Sequence, residues 1–142
     1  MSSINEMIAR VERLNIEQLC EDAFNLNSEI AEDLNREQLN EGVTSDERWI
    51  SPFYRPATLH YKEEVGQQMF PMNLRDSGDF HNEIVIQAAG GVISSISRDW
   101  KFETLANKWG ENILGLSKSS IIELNKVLQP TLVEEVKKDL GI

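Results

Sequence analysis

The sequence predicts an α+β fold with a long N-terminal helix, a small antiparallel sheet built on a β-hairpin, and a C-terminal amphipathic helix. Apolar residues recur at helical spacing near both ends of the chain, and two β-branched runs flank a Gly-Gly pair between them. The 142 residues suit one ordinary domain. We expect residues 1–142 to form a single domain with a helical arm (1–42), an aromatic and proline-rich loop (43–73), and a region of hairpin and helices (74–142).

The helical arm carries two start signals. Ser3 with Glu6 is a capping box, and Asn15 with Gln18 repeats the N-cap pattern, so the arm is either one helix bent at Asn15 or a short helix leading into a long one. Gly42 is the expected stop. Asparagines lower the intrinsic helix propensity of the arm, which therefore needs packing against other elements or subunits. These asparagines are Asn25, Asn27, Asn35 and Asn40.

The loop of residues 43–73 combines prolines with large aromatic side chains. Pro52, Pro56 and Pro71 interrupt regular structure, so we expect only a short helix near Ala57–Val65. Aromatic side chains on a loop are typical anchors where two proteins meet. The alternative is that they cap the open face of the hairpin and pack into the subunit core. The candidate subunit or partner contacts are Trp49, Phe53 and Tyr54, together with Trp100 and Trp109 later in the chain.

The second half of the chain predicts a hairpin and two helices. Glu83–Ala88 and Val92–Ser97 are the expected strands, joined by a tight primed turn at Gly90-Gly91. A helix from Trp100 to Trp109 follows. The last helix begins at Ser117 or Ser120, is kinked or restarted by Pro130, and ends at Gly141. Its apolar stripe comprises Ile121, Leu124, Leu128, Leu132, Val136 and Leu140.

Charge and composition disfavour several classes of protein. Lys and Arg number 14 against 24 Asp and Glu, a net charge of -10, which disfavours binding to nucleic acid through its phosphates. The single cysteine, Cys20, excludes an internal disulfide, and we expect it to be a small buried apolar residue. No apolar stretch approaches the roughly 20 residues that span a bilayer. We expect synthesis in a reducing cytoplasm, without a signal peptide.

The sequence contains one cluster that could bind a metal. Asp76, Asp79, His81 and Glu83 fall within eight residues and could hold a divalent cation, but a turn flanked by solvated charges is the favoured interpretation. His60 and His81 lack the Ser or Cys partner of a nucleophilic triad. We therefore expect no enzymatic activity, no catalytic residue, no metal and no cofactor.

Three short motifs occur in a characteristic order. They are L-R-D-S-G-D-F at Leu74–Phe80, F-E-T-L-A-N-K-W-G at Phe102–Gly110, and I-L-G-L-S at Ile113–Ser117. Their order, from about Trp49 to the C-terminus, resembles the small tail-completion (virion-morphogenesis) proteins of tailed bacteriophages. The matching positions are Leu74, Ser77, Gly78 and Phe80 in the first motif, Leu105, Ala106, Trp109 and Gly110 in the second, and Leu114, Gly115, Leu116 and Ser117 in the third.

The resemblance implies a structural virion protein of the neck or tail. Its subunits would form a homo-oligomeric ring at the head–tail junction, joining the portal or connector to tail proteins around the DNA channel, with no membrane involved. An acidic lumen would repel phosphates, so genomic DNA would pass through without specific binding. The alternative is an acidic monomeric binding or inhibitor protein that mimics DNA, with its carboxylates on one continuous face.

Overall fold

The computed structural model describes residues 3–142, in which the helical arm is divided into three helices. These are α1 (Ile4–Glu12), α2 (Ile16–Leu26) and α3 (Ser28–Asn40). The predicted capping box opens α1, because Ser3 Oγ accepts the Glu6 N–H and the Glu6 carboxylate accepts the Ser3 N–H. Asn15 caps α2 as expected. A further break at Asn27, where the backbone leaves the helical conformation, separates α2 from α3.

The remaining elements complete an α+β fold. They are α4 (Pro56–Val65), α5 (Asp79–Asn82), β1 (Ile84–Ala89), β2 (Val92–Ser97), α6 (Phe102–Trp109), a 3₁₀ turn (Glu111–Ile113) and α7 (Lys118–Leu140). Residues 3–142 thus contain seven α-helices and one two-stranded antiparallel sheet. The predicted fold class, with its hairpin and its long C-terminal helix, is confirmed. The predicted long N-terminal helix is instead the three shorter helices α1, α2 and α3, because the chain breaks at Asn27 as well as at Asn15.

The hairpin packs against the helices mainly through its first strand. The register runs from Ile84 opposite Ser97 to Ala89 opposite Val92. Gly90 and Gly91 both have positive φ, 59° and 77°, which is the conformation that a type I′ turn requires. Alternate side chains of β1 are buried, whereas most of β2 is exposed. The helices α2 and α3 each contact both β1 and α7.

The last helix is continuous through its proline. Ser117 is the N-cap and accepts the Ser120 N–H, and the helix ends at Gly141. It does not restart at Pro130, which lies on an exposed position of the helix. Only Leu124 of the predicted apolar stripe is fully buried, and Ile121 is exposed. Fewer residues of the stripe are therefore buried than the sequence predicts.

Side chains of the arm complete the hydrogen bonding of β1 along the edge that β2 leaves open. The Asn25 amide donates to the Ala88 carbonyl and accepts the Ala88 N–H, both at 2.9 Å. The Glu32 carboxylate accepts the Ile86 N–H at 3.1 Å. An unsatisfied peptide group at a partly buried edge would cost free energy, and these side chains remove that cost. Asn25, expected only to weaken its helix, thus takes the place of a third strand.

Two buried amides of α3 hold the linker before α7 in the same way. Asn35 donates to the Ile113 carbonyl at 3.4 Å and accepts the Gly115 N–H at 2.9 Å. Gln38 donates to the Gly115 carbonyl and accepts the Ser117 N–H, both at 2.8 Å. The α3 helix therefore fixes the start of α7 through hydrogen bonds as well as apolar packing.

Replacement of Leu124 by Asp tests the burial of α7. The change buries a carboxylate without a partner, so we expect it to lower the free energy of unfolding by more than about 3 kcal/mol. Ile122 lies on the same helix and is 59% exposed, so Ile122→Asp should lower the free energy of unfolding by no more than about 0.5 kcal/mol. Urea unfolding followed by circular dichroism measures both. Equal losses in the two variants would contradict the observed packing of the helix.

Replacement of Asn25 by Ala tests the side-chain completion of β1. The variant loses two hydrogen bonds to Ala88 and should be less stable by about 1–2 kcal/mol. Asn107→Ala, at an exposed position of α6, is the matched control and should change stability by no more than about 0.5 kcal/mol. Amide hydrogen exchange should also show faster exchange of the Ala88 N–H in the Asn25 variant. Unchanged protection of that amide would mean that the contact contributes nothing.

Candidate interaction surface

The loop after α3 is shaped so that Trp49 faces outward. Val43 and Trp49 form an antiparallel bridge, and the Thr44 N–H donates to the Arg48 carbonyl at 2.9 Å. Successive side chains of extended backbone point to opposite sides. Ile50 enters the core, and its neighbour Trp49 is left exposed. The loop is thus a hydrogen-bonded turn that presents an indole ring at a defined position.

Three exposed aromatic rings form a continuous patch, which we call the aromatic patch. The ring of Phe70 lies 5.8 Å from that of Trp49 and 6.3 Å from that of Phe53, measured between centroids. Trp49, Phe53 and Phe70 are 63%, 45% and 70% exposed. Sequence reasoning missed Phe70, because it lies 17 positions after Phe53 and only the fold brings the two together. Its position just before Pro71, in the same proline-rich loop, was the available signal.

Tyr54 is a correction to the predicted set of contacts. Its side chain is only 8% exposed and belongs to the core, because its hydroxyl accepts the Leu74 N–H at 2.8 Å and lies 3.4 Å from Asn73 Oδ1. Burial raises the pKa of the Tyr54 phenol. The Lys62 ammonium lies 4.9 Å from the ring centroid. The alternative of core packing is therefore right for Tyr54, which supports the loop from beneath.

The other two predicted contacts occupy different places. Trp109 is half-buried, donates its indole N–H to the Pro52 carbonyl at 2.6 Å, and meets the Tyr54 ring edge-on. It therefore holds the aromatic loop in position. Trp100 is 80% exposed, and no aromatic ring of residues 3–142 stacks on it. Of the five predicted contacts, the structure brings only Trp49 and Phe53 together in one exposed patch.

The possible metal cluster does not assemble. Within residues 3–142, no three His, Cys, Asp or Glu side chains are placed to hold a metal ion. Asp76 lies 3.7 Å from the Lys101 ammonium, and Asp79 and Glu83 are exposed. His81 is buried, with its Nε2 2.7 Å from the Asn73 carbonyl oxygen. His81 therefore contributes to the core.

A second surface feature is an apolar groove between α2, the hairpin tip and α7. The groove has a volume of about 500 Å³. Cys20 lines it and is exposed, so the expectation that Cys20 is buried was wrong. The side chain projects from α2 into the groove because the hairpin and α7 do not close over this part of the helix. The lining residues are Glu17, Cys20, Glu21, Ala23, Phe24, Ala88, Gly91, Ile93, Asn125, Leu128, Gln129 and Leu132.

A cleft of about 410 Å³ lies beside Tyr54 and contains Lys62. The Lys62 ammonium donates to the Arg75 carbonyl and, at 3.1 Å, to Gln67 Oε1. Burial lowers the pKa of this ammonium, and the charge of Asp76 opposes that effect. Both hydrogen bonds join α4 to the segment before α5. Lys62 thus has a structural task, which accounts for its burial.

Comparison of the chain with protein-family models, with curated proteins and with solved structures gives no match. In residues 3–142, no helix combines the length and the apolar character needed to cross a membrane. The two surfaces, the aromatic patch and the apolar groove, therefore carry the functional inference.

The buried His81 should make stability depend on pH. Burial lowers its pKa below the ordinary value of 6.5, and the charges of Arg75 and Arg36 act in the same direction. The unfolded chain therefore binds a proton that the folded chain does not, so stability is complete above about pH 6.5 and falls as the pH drops toward the lower pKa of the folded state. The urea concentration at the midpoint of unfolding should therefore decrease when the pH is lowered from 7.5 to 5.5.

Substitution of each histidine identifies the group responsible. His81→Gln retains a donor for the Asn73 carbonyl and should show a flatter dependence of the urea midpoint on pH. His60 is exposed, so His60→Gln should behave as the wild type. A wild-type midpoint that does not move over this pH range would contradict the burial of a neutral imidazole.

Proposed function

We propose that this chain is a structural virion protein that assembles into a ring at the head–tail junction of a tailed bacteriophage. There it would join the portal or connector to tail proteins around the DNA channel. The observation that carries the proposal is the aromatic patch of Trp49, Phe53 and Phe70, held outward on a hydrogen-bonded loop. A contiguous patch of large exposed aromatics is typical of a protein–protein contact and not of an isolated monomer.

Exposed apolar side chains on other elements also support assembly. None of the residues in α1 is buried, although the helix has an apolar face. The edge strand β2 likewise exposes apolar side chains. A ring subunit has two neighbours in the ring and further contacts above and below it, so several apolar surfaces are expected. These side chains are Ile4, Met7, Ile8 and Val11 on α1, and Val92, Ile93 and Ile96 on β2.

The motifs that resemble tail-completion proteins have structural tasks in this chain. Leu74, Phe80 and Leu114 are buried together in the core, and Leu105 and Trp109 pack against them. Residues that serve to pack the core are expected in a structural protein. The resemblance likewise implies that the motif residues are structural and not catalytic. We propose accordingly that the protein has no enzymatic role.

The net charge of -10 supports a DNA channel better than a DNA-binding site. Subunits with this charge repel phosphates, so DNA would slide through a ring without adhering. A monomeric protein that mimics DNA remains the alternative. It gives no reason for an exposed aromatic patch, and the mass of the native assembly distinguishes the two proposals.

The proposed ring should depend on the aromatic patch. We expect the purified protein to sediment as a closed oligomer, and Trp49→Ala with Phe70→Ala to weaken association by at least about 2 kcal/mol, roughly 30-fold. Both side chains are exposed, so the double variant should retain its circular dichroism spectrum. Trp100→Ala, which removes an exposed ring outside the patch, should assemble normally.

The phage role is tested in particles. Particles made with the Trp49/Phe70 double variant should accumulate heads and tails that are not joined, whereas particles with Trp100→Ala should be complete in electron micrographs. A wild-type protein that remains monomeric at high concentration, with or without portal and tail components, would refute the ring.

A further inference from the structure

We propose that the aromatic patch of one subunit docks into the apolar groove of a second copy of this chain. This inference rests on the proposed function, because it supplies the contact between neighbouring subunits of the ring. The patch and the groove share no residue, so one copy can offer its patch to one neighbour and its groove to another.

The groove has the size and surface that an aromatic side chain requires. Ala23 and Phe24 are buried beneath it, and Leu128, Leu132 and Ile93 contribute to its walls. Its volume of about 500 Å³ lies within the range, about 300–1,000 Å³, of pockets that bury small organic ligands. A Phe or Trp ring can therefore be transferred from water into the groove, which is favourable for an apolar ring.

The rim of the groove is acidic. The charged residues among those that line it are Glu17 and Glu21. Glu21 accepts the Gly91 N–H at the hairpin tip. Glu17 also lies close to this glycine, because a Cβ placed on Gly91 would be 2.6 Å from Glu17 Oε1. Both carboxylates thus lie beside the hairpin tip.

The aromatic patch is flanked by cations. Arg48 precedes Trp49 and Arg55 follows the loop, and both are exposed. Two acids lie nearby, and both are engaged within their own chain: Glu47 accepts from the Ser119 hydroxyl at 3.3 Å, and Asp46 accepts from Thr44 and from Asn112 at 2.8 Å. Asp46 lies 3.6 Å from Arg48, whose side chain is mostly exposed, so the arginine is open to a further partner.

The charges select a copy of the same chain as the occupant. Copies that each carry a net charge of -10 repel one another over most of their surfaces. Contact between the Arg48 and Arg55 flank and the Glu17 and Glu21 rim is attractive, and it places the apolar patch over the apolar groove. Such complementarity specifies which faces of two like-charged subunits meet.

The two surfaces lie near opposite ends of α3. That helix has 13 residues and is about 20 Å long. The groove residues Ala23 and Phe24 lie just before its start, and Trp49 follows its end. Contact through two different surfaces is head-to-tail and generates a ring when the rotation closes.

The single cysteine permits a direct test, because Cys20 lies in the groove. Wild-type protein is mixed with a Cys20→Ser, Ser51→Cys variant, and a disulfide between copies is allowed to form under mild air oxidation. Ser51 is exposed between Trp49 and Phe53, so this variant keeps all three rings of the patch. Cys20→Ser, Glu64→Cys is the matched control, since Glu64 is exposed on α4 and belongs neither to the patch nor to the groove. Cys20→Ser, Met69→Cys repeats the test at an exposed position next to Phe70, and circular dichroism establishes that each variant is folded.

The cross-link between Cys20 and position 51 or 69 should form at least ten-fold faster than the control cross-link. Glu17→Gln with Glu21→Gln in the groove-bearing copy should slow it several-fold at low salt, and raised salt should remove that difference. Rates equal to the control at both positions would overturn the docking.

The outcome separates this inference from the proposed function. A closed oligomer that lacks the cross-link overturns the docking and leaves the ring in place. A cross-linked oligomer that joins no portal or tail component supports the docking and refutes the phage role.

Discussion

The fold depends on polar side chains of α2 and α3 that act as hydrogen-bonding partners for backbone elsewhere. A two-stranded hairpin has two open edges and is marginal alone. Here Asn25 and Glu32 bond the edge of β1 that β2 does not cover, and Asn35 and Gln38 bond the linker before α7. The arm thus supplies what a third strand would supply, and the apolar core closes around backbone whose polar groups are satisfied.

The same scaffold gives the interaction surfaces their stiffness. Tyr54 and Trp109 lie beneath the aromatic loop, bonded to the Leu74 N–H and to the Pro52 carbonyl. A loop supported in this way keeps its exposed rings in one arrangement, so little conformational entropy is lost when they bind. The apolar groove likewise lies between α2, the hairpin and α7, and α3 contacts the hairpin and α7.

Several features were predictable because their causes are local. Capping at Ser3 and Asn15 and the Gly90-Gly91 turn follow from hydrogen bonds and dihedral angles within a few residues. The burial of Asn35 was not predictable, because apolar periodicity assigns an amide to the solvent side of a helix. Its partner at Gly115 lies 80 residues away, and nothing near Asn35 in the sequence indicates it.

By itself the sequence determined the class of fold, the hairpin, the last helix, the acidic charge and the loop that carries the aromatic residues, since each follows from composition or short-range spacing. Only the tertiary structure decided which aromatics are exposed. It turned Trp49 outward and Tyr54 inward, added Phe70 to the patch, and left Cys20 in an open groove. The physical reason is that exposure depends on which distant segments pack over a side chain, and local propensity carries no information about them.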